Sequence, residues 1–285
     1  MMTVSPFSEA SPYIGDLLYK EVGNIRGSRL RSNGPSMMNL FPFTFRNEMP
    51  RIKAEIAEEA RRRLILHRDG SLVSRHLSTA STFCRACVAM NYLSEEQMQR
   101  AAQRYRLGMS RDGGVIFWQI GPNGDIFDGK IMYYRPDCHR DKHQHPTWVS
   151  AVMKQFYQCP VDIPSQHCLF GTHLCHMGSE PVAIVEAEKT AVIMSEFRPE
   201  YIWVATGGMN ELTPAKLSPF REHRMILFPD TDESGLAYST WYHIAQEAQR
   251  LLGLSIRVSP ILELHATPDQ KARKIDLVDF LFPYE

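Results

Sequence analysis

The sequence predicts an α/β protein: a Rossmann-like, mainly parallel sheet over residues 179–285, preceded by a mixed α+β region. Three observations lead there. From Glu180 onward, short apolar runs alternate with amphipathic stretches, the pattern of strand–helix–strand crossovers. Residues 105–178 instead hold two β-like runs around a Gly-Pro-Asn-Gly turn. Acidic side chains follow closely on two of the C-terminal apolar runs, at the strand ends where open α/β sheets place their ligands.

Taken in order, residues 1–46 carry Ser, Pro, Gly, Asn and Met without sustained periodicity and read as a poorly ordered leader. Residues 47–104 read as a helical region. From Pro50, a good first-turn residue, Ile52, Ile56, Ala60 and Leu64 recur at helical spacing. A helical pair covers 80–104, and Ser94 opens its second member. Val115–Ile120, the turn at 121–124 and residues 128–134 form an expected β-hairpin within a basic β-rich subdomain at 105–178. In the last region strands are expected at Val182–Val185, 201–205, Met225–Phe228 and 255–262. Helices are expected over 189–196, near Leu212 and across 241–251.

With 285 residues, zero net charge and 44% hydrophobic content, the chain can bury a full core, and two domains are the default expectation. No apolar run approaches the roughly 20 residues that span a bilayer, and no secretory signal opens the chain, so a cytoplasmic protein without membrane contact is expected. The neutral total hides an asymmetry: residues 1–150 hold 21 Lys and Arg against 15 Asp and Glu, residues 151–285 hold 11 against 17. A basic half beside an acidic half suits phosphate binding by one and divalent-cation binding by the other. Taken alone, Arg61-Arg62-Arg63 reads as a solvated helix face. Cys84 and Cys87 have a zinc-ligand gap but no clean partner pair, and on a helix both thiols pack as small apolar groups, which argues against zinc.

The candidate site is an ordered series of acids: Glu186, Asp230, Asp232, Asp276 and Asp279. Each alone reads as a helix cap. Capping does not explain a Glu at one strand end, Asp-Thr-Asp before Gly235 at another, and a third pair further on. Together they favour hard divalent cations, magnesium or manganese. Lys189 is close enough in sequence to Glu186 to screen it or touch a phosphate, or it points to solvent. A second signal is the interleaving of Trp118, Tyr133, Tyr134 and Trp148 with Arg106, Arg111, Lys130, Arg135, Arg140 and Lys142, suited to stacking bases and tracking phosphates. Strand alternation assigns half of those aromatics to the core.

These residues resemble a known family. Ile184-Val185-Glu186-Ala187-Glu188-Lys189-Thr190-Ala191, the turn Ala205-Thr206-Gly207-Gly208, Phe228-Pro229-Asp230-Thr231-Asp232-Glu233-Ser234-Gly235 and Lys274-Ile275-Asp276-Leu277-Val278-Asp279-Phe280-Leu281 look like successive motifs of a Toprim domain. Upstream, Tyr92-Leu93-Ser94-Glu95-Glu96, Tyr105-Arg106-Leu107-Gly108, Val115-Ile116-Phe117 with Gly129-Lys130, and Leu169-Phe170-Gly171 follow the order of primase catalytic cores. The chain resembles most the uncharacterised primase-like Toprim proteins of bacterial mobile elements. The usual Glu-Gly-x-x-Asp motif reads here with Ala187 for the glycine and Thr190 for the aspartate, one acid fewer.

The resemblance implies a C-terminal Toprim domain after a primase-like subdomain, and primase-like nucleotidyl transfer on single-stranded DNA. Glu186, Asp230 and Asp232 would be catalytic and would hold magnesium with Asp276 and Asp279. Arg106, Lys130, Arg135, Lys142 and Lys189 would contact template and nucleotide triphosphates, Lys130 and Lys142 above all, with His173 either joining them or structural. A replicative helicase would be a separate partner. A Toprim nuclease, or a weakly catalytic single-strand-binding accessory, are the competing readings.

Overall fold

The structure, a computed structural model, describes residues 70–157, 167–176 and 180–283. The leader at 1–46, the helix expected from Pro50 to Leu64 and Arg61 to Arg63 lie outside the described residues.

Three helices come first: α1 (Gly70–His76), α2 (Thr82–Ala89) and α3 (Glu95–Tyr105). Ser81 and Ser94 start α2 and α3 by accepting the backbone N–H of Cys84 and Gln97, and the Gln97 side chain accepts the Ser94 N–H in return. Arg106, at φ 53°, ends α3 in the left-handed conformation.

The first sheet is antiparallel, in the order β1 (Gly108–Met109), β2 (Val115–Ile120), β3 (Ile126–Met132), β4 (Thr147–Trp148), and α4 (Val149–Tyr157) follows it. The expected hairpin is β2–β3. All of β2 is buried, and its two faces serve two cores. Val115 and Phe117 join Met132 and Tyr134 in the main core with α2 and α3, whereas Ile116, Trp118 and Ile120 join Ile131 and Tyr133 in a second core with α1 and α4. A strand covered on both sides leaves no stacking face. Trp118, Tyr133 and Tyr134, expected in part as base platforms, are 0%, 9% and 6% exposed.

The second sheet is built from β5 (Val182–Val185), α5 (Glu188–Phe197), β6 (Ile202–Ala205), α6 (Pro214–Leu217), β7 (Met225–Phe228), α7 (Leu236–Leu252) and β8 (Ile256–Val258). Its order is β6-β5-β7-β8 and all pairs are parallel. The strand expected over 255–262 ends at Val258: Pro260 has no N–H for a ladder and instead sits at the N-cap of α8 (Ile261–His265). Then come α9 (Pro268–Arg273) and α10 (Leu277–Leu281). Among the described residues no helix is long and apolar enough to cross a membrane.

The two sheets share the main core. Phe170 pairs with Ala205 through two backbone hydrogen bonds of 2.9 and 3.0 Å, extending the edge at β6 by one antiparallel bridge. Tyr105 stacks on Phe170 at 4.9 Å, and its hydroxyl donates to the Trp203 carbonyl at 2.8 Å. On the surface Arg100 and Arg104 reach Glu196 at 2.7 and 2.9 Å, pinning α3 to α5.

Gly171, next to that bridge, has φ +88°, and a Cβ there would meet the Trp203 carbonyl oxygen at 2.8 Å. Gly171→Ala is expected to cost about 1–3 kcal/mol in denaturant unfolding. Unchanged stability would refute this close approach.

Candidate active site at the carboxyl end of the parallel sheet

The site follows from strand pairing. Val185 lies opposite Phe228, so Glu186 and Asp230 follow adjacent strands at the same, carboxyl end of the sheet. The Met209 backbone N–H favours the ionised form of Glu186. Asp230 has no hydrogen-bond donor among the described residues. The Thr231 N–H donates to the Ile275 carbonyl at 3.1 Å, which draws the start of α10 against the loop after β7. There Asp276 caps α10 by accepting the Asp279 N–H at 2.9 Å. Its other oxygen accepts the Thr190 hydroxyl at 2.7 Å and lies 3.3 Å from Lys189 Nζ. The same Nζ lies 3.3 Å from Asp279 Oδ1.

Charge divides this group. Burial, and then the Asp276 and Glu186 charges, pushes Asp230 well above the usual carboxylate range, with Lys189 offsetting only part. Burial also raises Glu186, against the Met209 N–H and Lys130. For Asp276, burial is outweighed by Lys189 and by the donors from Asp279 and Thr190, so its carboxyl is lowered. Lys189 is held above its ordinary range because the Asp276 and Asp279 charges overcome its burial. Ionisation of Glu186 and Asp230 is therefore only partly compensated, whereas Asp276 and Asp279 have their cation already.

Asp232 goes elsewhere. Its carboxylate accepts the N–H groups of Ser234, Leu236 and Ala237 at 2.9, 3.2 and 2.8 Å and the Ser234 hydroxyl, at the start of α7. Those donors outweigh partial burial and lower it to about 2. Gly235, at φ 66°, makes the turn that lets the chain fold back onto this carboxylate. So four of the five expected acids converge, and the fifth holds a helix N-terminus.

Lys130, expected against phosphate, is part-buried and turned toward protein groups. Its Nζ donates to Glu188 Oε1 at 2.9 Å and to the Gly207 carbonyl at 2.8 Å, bridging β3 to the first turn of α5 and to the turn after β6. Gly207 is required there: φ is +83°, and a Cβ would stand 2.9 Å from Glu188 Oε1. Glu188 was not singled out from the sequence; the available signal is a second acid two residues after Glu186 on a strand-to-helix turn. Arg106, Arg135 and Lys142 are exposed, Arg135 with Asp137 at 2.6 Å. His173 is buried, with Nε2 3.0 Å from the Arg104 carbonyl. Cys84, Cys87 and Cys138 are free thiols in the main core.

Among the described residues, no group of three or more His, Cys, Asp or Glu side chains is arranged to hold a metal ion. Magnesium asks for less, since it is usually held by one or two carboxylates, with water and phosphate oxygens completing its shell. Glu186 and Asp230, two hard oxygen donors whose ionised forms a cation would stabilise, fit that demand.

Two outcomes follow from this charge distribution. Lys130→Met strands a buried Glu188 carboxylate and should destabilise the fold by about 3–5 kcal/mol in chemical denaturation; a loss no larger than that of a surface lysine would contradict the buried pair. Asp230 has a folded-state value above its unfolded one, so its burial opposes folding at neutral pH and ceases to as pH falls toward the ordinary carboxylate range. In metal-free buffer Asp230→Asn should therefore raise the melting temperature near pH 7 by a few degrees, with the gain shrinking toward pH 4. A gain that grows on acidification would reverse the sign.

Residues 83–231 match a family described as a domain of unknown function, DUF6371. No curated protein matches the chain. Among solved structures, the primase fragment of the bacteriophage T7 primase-helicase protein is 19% identical, with 64% of each chain covered and a TM-score of 0.40, so the chain spans about two-thirds of that fragment's length. The DnaG primase catalytic domain bound to single-stranded DNA is 13% identical over 79% of this chain and 83% of that one, with a TM-score of 0.48. The E. coli primase catalytic core is 15% identical over 77% and 82%, with a TM-score of 0.45. By the extent of the match, which spans more than half of its length, this chain belongs to the DUF6371 family.

Proposed function

We propose that this chain is a Toprim-type, primase-like nucleotidyltransferase that acts on single-stranded DNA in replication of DNA or of a mobile element. One observation carries the reading: Glu186 and Asp230, on adjacent strand ends, lie close to other acids and form no ion pair with a lysine among the described residues, so burial and neighbouring charge push both carboxyls above the usual range. Glu186 and Asp230 would hold magnesium or manganese. When bound, such a cation would supply Lewis acidity, favouring ionisation of an attacking hydroxyl and offsetting charge on phosphate and leaving group. The protein's own groups supply position. Lys130 fixes Glu188 and the Gly207 turn beside Glu186, and Thr231 and Asp276 hold α10 against the site. Exposed Arg106, Arg135 and Lys142 would track template or triphosphate phosphates, and a replicative helicase would be a separate protein.

A second reading has a specific observation in its favour. Lys189 and Thr190 engage Asp276 and Asp279, which leaves fewer acids for phosphoryl chemistry than the sequence offers. On that reading the chain is a single-strand-binding replication accessory with weak or no catalysis.

Incubation with single-stranded DNA, labelled ribonucleotides and magnesium or manganese separates the two. Short labelled oligonucleotides are expected, and Glu186→Gln should abolish them. Binding to single strands should weaken as salt rises, through counterion release. Salt-dependent binding without incorporation in either metal would select the accessory, and absence of binding at low salt would sink both.

A further inference from the structure

We infer that Lys189 is a resident cation that closes the Asp276–Asp279 side of the acid group to metal, so that the chain takes one divalent cation, at Glu186 and Asp230, rather than two. The inference rests on the metal-binding reading proposed above and adds its stoichiometry. Three observations carry it. First, the ammonium sits 3.3 Å from a carboxylate oxygen of each aspartate, the place a bridging cation would take. It reaches there from the first turn of α5, and its side chain is 10% exposed. Buried ion pairs of this kind are strongly destabilised when one member is withdrawn.

Second, both oxygens of Asp276 are already engaged. One accepts the Asp279 N–H that starts α10; the other accepts the Thr190 hydroxyl and faces Lys189. A metal ion on the second of these oxygens would have to displace a hydroxyl donor and an ammonium together, and any ion placed beside Lys189 would meet like charge at short range. Third, the other nearby lysine leaves the opposite side open. Lys130 spends its contacts on Glu188 and the Gly207 carbonyl, so neither Glu186 nor Asp230 has an ion-pair partner among the described residues. The acid group is thus divided by its neighbours into a closed pair and an open pair.

The same geometry argues against Lys189 as a phosphate contact. To reach a substrate it would have to leave two carboxylates at once, from a position that is already buried. Lys189 is accordingly a positioning residue, acting through Asp276 and Asp279 on the seat of α10.

The test is manganese binding by the full chain, followed through the free-ion spin-resonance signal, with melting temperature recorded in parallel. Wild type should bind one manganese per chain. Lys189→Arg should still bind one, and Lys189→Met should bind two, with its lower melting temperature restored by manganese. Asp230→Asn should weaken the wild-type site roughly 10- to 100-fold, whereas Asp279→Asn should leave its affinity within about twofold. Two ions on the wild type, or one on a folded Lys189→Met, overturn the inference and leave the metal reading standing. No manganese bound by wild type overturns both. Should Lys189→Met fail to fold, Asp279→Asn decides: a loss as large as that of Asp230→Asn overturns the inference, and retained affinity supports it.

Discussion

Like charges gathered at the end of a buried sheet are the constraint on which this molecule turns. Glu186, Glu188, Asp230, Asp276 and Asp279 are brought close together, where water can screen them little, and such a group is tolerated only if cations or donors are fixed beside it. Two lysines meet most of that need. Lys189 serves Asp276 and Asp279 from within α5, and Lys130 serves Glu188 from the other sheet. Because Lys130 reaches across from β3, relief of charge in the parallel sheet depends on the antiparallel one being in register. The electrostatics of the acids and the mutual seating of the sheets are therefore one problem.

The apolar framework is arranged to keep that register. β2 is buried on both faces and belongs to two cores at once, so it can slip by one residue only by exchanging those cores. From one of its faces Phe117 touches Phe170 at 5.3 Å, and Phe170 in turn stacks on Tyr105 and pairs with Ala205. A continuous path of packed side chains thus runs from the hairpin that carries Lys130 to the strand that ends at the Gly207 turn, which Lys130 grips.

What could be read from sequence, and what could not, follows from how far each interaction reaches. Val182–Val185 and Met225–Phe228 were legible because a parallel strand covered on both faces is a short unbroken apolar run, and the acids that follow such runs announce the sheet's carboxyl end. Ser94 as a helix start needs only its own neighbours. The roles of Lys130 and Lys189 were out of reach, since their carboxylate partners lie 58 and 90 residues away, and a lone lysine in sequence looks the same whether it meets phosphate or a buried acid. Asp230 and Asp232 differ by two positions and part company because the second falls where α7 opens and the first does not. The β2 aromatics misled because alternation tells which residues share a face but not whether a second layer covers it, and the run at 255–262 misled because its apolar residues continue through a proline that stops the ladder.

The bridge between Phe170 and Ala205 bears on how the parallel sheet avoids other sheets. β6 lies at an edge, and an edge offers unpaired N–H and C=O groups to any extended chain that passes. Here both backbone groups of Ala205, at the end nearest the acids, are taken by a residue that precedes the whole sheet in sequence. During synthesis that residue emerges first, so the partner waits for the strand rather than the reverse. A fragment cut just before β5 would keep all four strands and lose this guard, exposing at its most apolar margin a template for self-association.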